Sequence, residues 1–201
     1  MIRVLIAEDQ NMVRGALAIL LNLEADIEVV GQAGRGDDAV ILARETRPDV
    51  ALLDIEMPGL DGLEVAGCVH RDLPSCTILM LTTFGRPGYL RRAIEAGAAG
   101  FLVKDGPVEE LADAIRRAVR GERVIDPTLA VAALSAGSNP LTSREVEVLS
   151  ASSDGSTIVA IARRLSLSEG TVRNYLSSAI QKTGTHNRTE ALRRAETSGW
   201  L

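Results

Sequence analysis

Val50-Ala51-Leu52-Leu53-Asp54 is a stretch in which an unbroken apolar run stops on an acid. A short apolar run without alternation is the pattern of a strand covered on both faces, as in a parallel sheet. Such sheets gather ligand chemistry at the carboxyl ends of their strands, so the terminal acid carries the information. Three other runs end in the same way: Val4-Leu5-Ile6-Ala7 leads into Glu8-Asp9, Ile78-Leu79-Met80-Leu81 into Thr82, and Phe101-Leu102-Val103 into Lys104. A fifth run, Ile27-Glu28-Val29-Val30, completes the set. Helical patterns lie between them. Met12, Ala16, Ile19, Leu20 and Leu23 share a face of the first helix, and Leu111, Ala114, Ile115, Ala118 and Val119 a face of the last. Pro48, Pro58-Gly59, Pro74, Pro87-Gly88 and Pro107 punctuate the alternation. The expectation is an α/β unit over residues 1–120, with a flavodoxin-like, five-stranded parallel (βα)5 sheet covered on both faces.

The pattern changes after Gly121. Asp126-Pro127 opens a short Ala/Leu-rich stretch, and Ser135-Ala136-Gly137-Ser138-Asn139-Pro140 reads as a linker, so residues 121–140 are expected to be a connection with a short helix. From Leu141 to Leu201 every periodic segment is helical. Thr142 with Glu145 forms a capping box, and three further apolar faces follow: Ile158, Ile161, Ala162 and Leu165; Val172, Leu176, Ala179 and Ile180; Ala191, Leu192 and Ala195. An all-α four-helix domain is expected over 141–201.

Charge divides the same way. Residues 1–120 carry 13 basic and 19 acidic side chains, whereas Gly155 to Ala195 carry seven basic and two acidic. The second part is therefore able to approach a polyanion. Two cysteines, Cys68 and Cys76, and two histidines offer neither a disulfide framework nor a zinc set. The short N-terminal apolar run ends in acids and matches neither a signal peptide nor a membrane span, so a cytoplasmic protein is expected. Gly34-Arg35-Gly36-Asp37-Asp38-Ala39 mimics a dinucleotide fingerprint, but it follows the second strand and reads as a helix-entry loop.

In a flavodoxin-like order the first and third strands are neighbours, which brings Glu8, Asp9 and Asp54 into one cleft. Three close carboxylates repel unless a cation sits among them, and Mg2+ suits a few carboxylate oxygens supplemented by water or phosphate oxygens. Asp54, alone on its strand end, is placed to attack phosphorus as a carboxylate nucleophile. Thr82 and Lys104 would meet the phosphoryl oxygens by hydroxyl and ammonium.

Ile6-Ala7-Glu8-Asp9, Asp54-Ile55-Glu56-Met57-Pro58-Gly59 with Asp61-Gly62, Leu81-Thr82-Thr83 and Ala99-Gly100-Phe101-Leu102-Val103-Lys104 resemble the receiver domain of two-component response regulators. The resemblance implies Asp54 as phosphoacceptor from a sensor histidine kinase, with Mg2+ on Asp9, Asp54 and the Glu56 carbonyl and with Glu8 in the acidic pair. It implies that Lys104 binds the phosphoryl group and that Thr82 and Phe101 form the switch. Phe101 stands where tyrosine is common, so the ring cannot donate a hydrogen bond. Asp105 stands where proline often follows the lysine.

Leu141-Thr142-Ser143-Arg144-Glu145, Ser168-Glu169-Gly170-Thr171-Val172-Arg173-Asn174-Tyr175-Leu176, Lys182 and Arg188-Thr189-Glu190-Ala191 resemble a LuxR-type helix-turn-helix. The whole chain is thus similar to the NarL/FixJ class. Thr82-Thr83-Phe84-Gly85-Arg86-Pro87-Gly88-Tyr89 and Gly170 to Tyr175 resemble the DesR-like branch, regulators of membrane-lipid desaturation. If Val172, Leu176, Ala179 and Ile180 face inward, Arg173, Asn174, Ser177 and Gln181 form an outward strip in which Arg suits guanine and Asn adenine. Thr171, Tyr175 and Lys182 suit phosphate contacts. Ser156 to Ala160 lacks the lysine and glutamate usual before Ile161-Ala162.

The expected function is a phosphorylation-controlled transcription factor, dimeric when phosphorylated and bound to promoter DNA. A haloacid-dehalogenase-like phosphotransferase would want an aspartate two residues beyond its nucleophile, where this chain has Glu56. A receiver working without phosphate, as an interaction module, is disfavoured by the intact acidic pair, Asp54, Thr82 and Lys104.

Overall fold

The computed structural model describes all residues except 83–86, 105–107, 128 and 132–138. The Thr83 to Arg86 phrase, Asp105 and most of the linker (Ser135 to Ser138) lie outside the described residues. The chain forms two compact units, one built from Met1–Gly85 and Tyr89–Val131, the other mainly from Ala132–Leu201. Among the described residues no helix is long and apolar enough to cross a membrane.

In the first unit, strands β1 (Ile2–Ala7), β2 (Ile27–Ala33), β3 (Val50–Asp54), β4 (Thr77–Thr82) and β5 (Gly100–Val103) alternate with helices α1 (Asn11–Asn22), α2 (Gly36–Thr46), α3 (Gly62–Asp72), α4 (Pro87–Glu95) and α5 (Val108–Val119). The sheet is parallel in the order β2-β1-β3-β4-β5-β6. Its sixth strand, β6 (Val124–Ile125), corrects the expected count of five and carries the sheet past residue 120. Two residues are too short a run to show a period, and β6 exists because Gly100 and Phe101 offer an edge to pair with.

Val50 to Asp54 is buried along its whole length, as expected of a central strand. One core layer joins Val4, Ile6, Leu52, Leu79 and Leu81 to Leu111, Ala114, Ile115 and Ala118 of α5. The first helix departs from the expected face. Its buried side is Ala18 and Leu21 with Leu17 packed beside them, whereas Met12, Ile19 and Leu23 are 87, 67 and 76% exposed. Val119 of α5 is also exposed. Two apolar stripes run along α1, and periodicity alone does not say which of them meets the sheet.

The second unit consists of α6 (Ser143–Ser150), α7 (Ile158–Arg164), α8 (Glu169–Thr183) and α9 (Arg188–Thr197) around Val148, Leu149, Ile161, Val172, Leu176, Ala179, Ala191 and Ala195. Each helix begins with a side-chain cap, from Thr142, Thr157, Ser168 and Asn187 respectively. Such caps contribute about 1 kcal/mol apiece and fix where short helices start. Gly184, at φ +62, closes α8 in the left-handed conformation.

Candidate functional site

Sheet register assembles the acidic cleft. Ala7 pairs with Leu53 and Leu53 with Met80, so Glu8 and Asp54, the next residues along β1 and β3, come level at the carboxyl edge. Thr82 closes β4 opposite Val103, and the Lys104 amide donates to the Thr82 carbonyl at 2.8 Å. Lys104 is thereby tied to the end of the neighbouring strand. Its Nζ lies 2.6 Å from Glu8 Oε2 and 2.9 Å from Asp54 Oδ1. Glu8, Asp54 and Thr82 are buried and Asp9 is exposed at the mouth. Carboxylate oxygens of Glu8, Asp9 and Asp54 all fall within 4.8 Å of one another.

Burial pushes the Glu8 and Asp54 carboxyls above their usual range even though the Lys104 ammonium opposes it. Burial also works against the charged form of Lys104, yet hydrogen bonds to Glu8 and Asp54 prevail and raise its pKa. One ammonium therefore does not satisfy the pair, and the cleft favours additional positive charge. A hard divalent cation fits this all-oxygen donor set. The Glu56 side chain is exposed in the turn after β3 and is not among the converging carboxylates.

The turn is shaped by glycines. The Gly62 amide, at the start of α3, donates to the Ile55 carbonyl at 2.9 Å, and a Cβ on Gly62 would lie 1.9 Å from the Asp54 carbonyl oxygen. Gly36 plays the same part from α2: its amide donates to the Pro58 carbonyl at 3.0 Å, and a Cβ there would meet the Leu60 carbonyl oxygen at 2.0 Å. The glycine-rich stretch at 34–37 is thus a buttress for the turn carrying Glu56.

In the second unit α8 turns Val172, Leu176, Ala179 and Thr183 inward, and Arg173, Asn174, Ser177 and Gln181 are exposed. Thr171 is half-buried, its hydroxyl 2.8 Å from the Ser168 cap, and Tyr175 packs against the core. Lys182 donates to the buried Glu145 at 2.8 Å.

Residues 4–116 match the response regulator receiver domain, and residues 139–195 match the bacterial regulatory proteins of the luxR family. The chain belongs to the LuxR-family response regulators. It is 50% identical, over all of both chains, to the transcriptional regulatory protein DesR of Bacillus subtilis. It is 39% identical to the response regulator RamR of Streptomyces coelicolor, covering 100% of this chain and 98% of that one. The crystal structure of the response regulator ChrA of a heme-sensing two-component system superposes with a TM-score of 0.60 at 32% identity, covering 100% of this chain and 98% of that one.

As a LuxR-family response regulator the protein is a DNA-binding transcriptional regulator of a two-component system and not a turnover enzyme. Receiver domains bind Mg2+ at an acidic site, and Glu8, Asp9 and Asp54 provide one here. Phe101 is 1% exposed and lines a small cleft together with Leu90, Ala93, Ala98 and Ile125. Sequence reasoning did not single out the buttressing role of Gly36 or the partners of Glu145 beyond its own cap. The signal for Gly36 was present in the second strand-helix turn. For Glu145 the only sequence signal was the capping box, which is local.

Proposed function

We propose that a sensor histidine kinase phosphorylates Asp54 and that the acyl phosphate drives dimerisation and promoter binding. The carrying observation is the convergence of Glu8, Asp9, Asp54 and Lys104 at the ends of β1, β3 and β5. The Asp54 carboxylate attacks phosphorus and the donor's leaving group departs. Asp54 Oδ1 accepts from the Ile55 amide at 2.8 Å and pairs with Lys104, which favours Oδ2 as the attacking oxygen. Glu8, Asp9 and Asp54, with the Glu56 carbonyl, would hold Mg2+, which would offset charge at the phosphoryl oxygens. Lys104 then moves from the carboxylate pair to the new phosphoryl group, and Thr82 approaches it from the next strand end. The added charge of about −1.5 to −2 is what shifts Thr82 and Phe101.

Exposed Met12, Ile19 and Leu23 support a dimer formed through α1. The dimer would set two copies of α8 about one DNA turn apart, with Arg173, Asn174 and Ser177 reading base edges and Thr171, Tyr175 and Lys182 on phosphates. Control of a lipid desaturase gene is a finer reading and rests on the DesR-like resemblance of the sequence. Two measurements test the proposal. Asp54→Asn should abolish labelling by acetyl phosphate, and Arg173→Ala with Asn174→Ala should abolish selective promoter binding. Retained labelling or retained selectivity would refute the corresponding half.

A further inference from the structure

Glu145 has more polar partners than a helix cap requires. Its side chain is buried, with Oε2 accepting from the Thr142 amide at 2.7 Å and from the Thr142 hydroxyl at 2.9 Å. The remaining partners come from α8: Ser178 Oγ donates to Oε1 at 2.6 Å and Lys182 Nζ to Oε2 at 2.8 Å. Burial alone would raise the Glu145 pKa, but the bonds from Lys182, Ser178 and Thr142 prevail and hold it at about 2, so the carboxylate stays charged. A buried charge with this many donors is held in one geometry, because each lost bond leaves an uncompensated lone pair.

Ser178 and Lys182 are four residues apart and so occupy one face of α8, a turn from each other. By helical rotation that face lies between the buried side (Val172, Leu176, Ala179) and the exposed strip (Arg173, Asn174, Ser177, Gln181). One tether would fix a point on the helix and leave its rotation free; two tethers on one carboxylate fix rotation and axial position together. The carboxylate is itself anchored in the first turn of α6, whose Val148 and Leu149 are core. Lys182 remains partly exposed and spends one of its three ammonium hydrogens on Glu145. The other donors suit a second oxygen anion, and on a DNA-binding helix that anion is a phosphodiester.

We propose that Glu145 is a positioning residue for DNA recognition: it sets the rotation of α8 and holds the Lys182 ammonium ready for a backbone phosphate. This rests on the reading of Lys182 as a phosphate contact, and the test separates the two. The full chain and its E145Q, K182M and double variants, shown folded by circular dichroism, are titrated with a fluorescein-labelled duplex selected from a random pool by the wild type. Titrations run across a salt series. K182M should lower the salt slope by about 0.9, as expected for one lost phosphate contact. E145Q should raise Kd about tenfold, and the double variant should bind no worse than the weaker single one. Additive losses would overturn the positioning role alone. An unchanged slope in K182M would overturn both readings. If E145Q does not fold, Ser178→Ala carries the test: a several-fold higher Kd supports the tether, and wild-type affinity refutes it.

Discussion

Helix α3 contains two glycines that should respond in opposite senses to the same methyl group. At Gly67 an added Cβ meets nothing within 4 Å, so Gly67→Ala should gain the helix-propensity difference of about 1 kcal/mol. At Gly62 the Cβ would lie 1.9 Å from the Asp54 carbonyl oxygen, 2.8 Å from its carbon and 3.0 Å from Ile55 Cα. All three atoms are backbone, so no side chain can rotate away. The carbonyl oxygen would have to retreat by about 1.5 Å to reach ordinary contact distance. That displacement costs about 1–3 kcal/mol in overpacking and strains the Gly62 to Ile55 hydrogen bond, a further loss of about 1 kcal/mol. Gly62→Ala should therefore destabilise the first unit by about 2–4 kcal/mol. Differential scanning calorimetry should show its transition falling by about 10 °C, with Gly67→Ala rising by a few degrees. Because the clash is with Asp54 itself, Gly62→Ala should also slow acetyl phosphate labelling at temperatures where it remains folded, and Gly67→Ala should label normally. A Gly62→Ala protein that melts at or above the wild type would refute the steric argument. One that melts low but labels at the wild-type rate would refute the link to the phosphoacceptor.

Lys104→Met removes the cation lying between Glu8 and Asp54, so the upward shift of the Thermofluor midpoint on adding Mg2+ should be larger than in the wild type; equal increments would contradict the charge argument. Glu145, depressed from 4.5 to about 2 in the fold, contributes stability fully present above pH 4.5 and lost as pH falls through 2. The contribution is about 3 kcal/mol at most, so acid unfolding of the second unit, followed through Trp200, should lose this component in Glu145→Gln and is expected to keep the same shape only if the carboxylate is irrelevant. Burial pushes the Cys76 thiol up to about 12, so N-ethylmaleimide at pH 8 should modify half-buried Cys68 and spare Cys76 until the protein unfolds; equal labelling of both would show the β4 region opening in the native state.

Strand ends were legible because burial on both faces leaves an unbroken apolar run, and a charged residue at its end has few explanations other than chemistry. Asp54, Thr82 and Lys104 could be read that way one strand at a time, and register then brought them together. Three things were not legible, each for a different reason. The inner face of α1 was ambiguous because Leu17, Ala18 and Leu21 form a stripe as apolar as Met12, Ile19 and Leu23. Strand β6 has too few residues to carry a period. Glu145 looked complete as half of a capping box, since its other partners are 33 and 37 residues away in sequence and no local rule reaches them.

The burial of Phe101 constrains how a signal could leave the acidic cleft. Phe101 pairs with Met80 on one side and Ile125 on the other, and Leu90 and Ala93 of α4 line the same cleft. For the switch proposed above, moving the ring alone would leave a cavity of aromatic size, at a cost of about 3–5 kcal/mol if nothing collapsed to fill it. A movement in which the residues lining the cleft follow the ring would avoid that cost. Thr82 and Lys104 are joined through the 2.8 Å bond between their backbones, so a pull on either reaches the ends of β4 and β5 together. In the chain α4 lies between β4 and β5. If Phe101 is the switch, its burial predicts that the structural response to phosphorylation includes the residues that line its cleft, Leu90 and Ala93 among them, and not the Phe101 rotamer by itself.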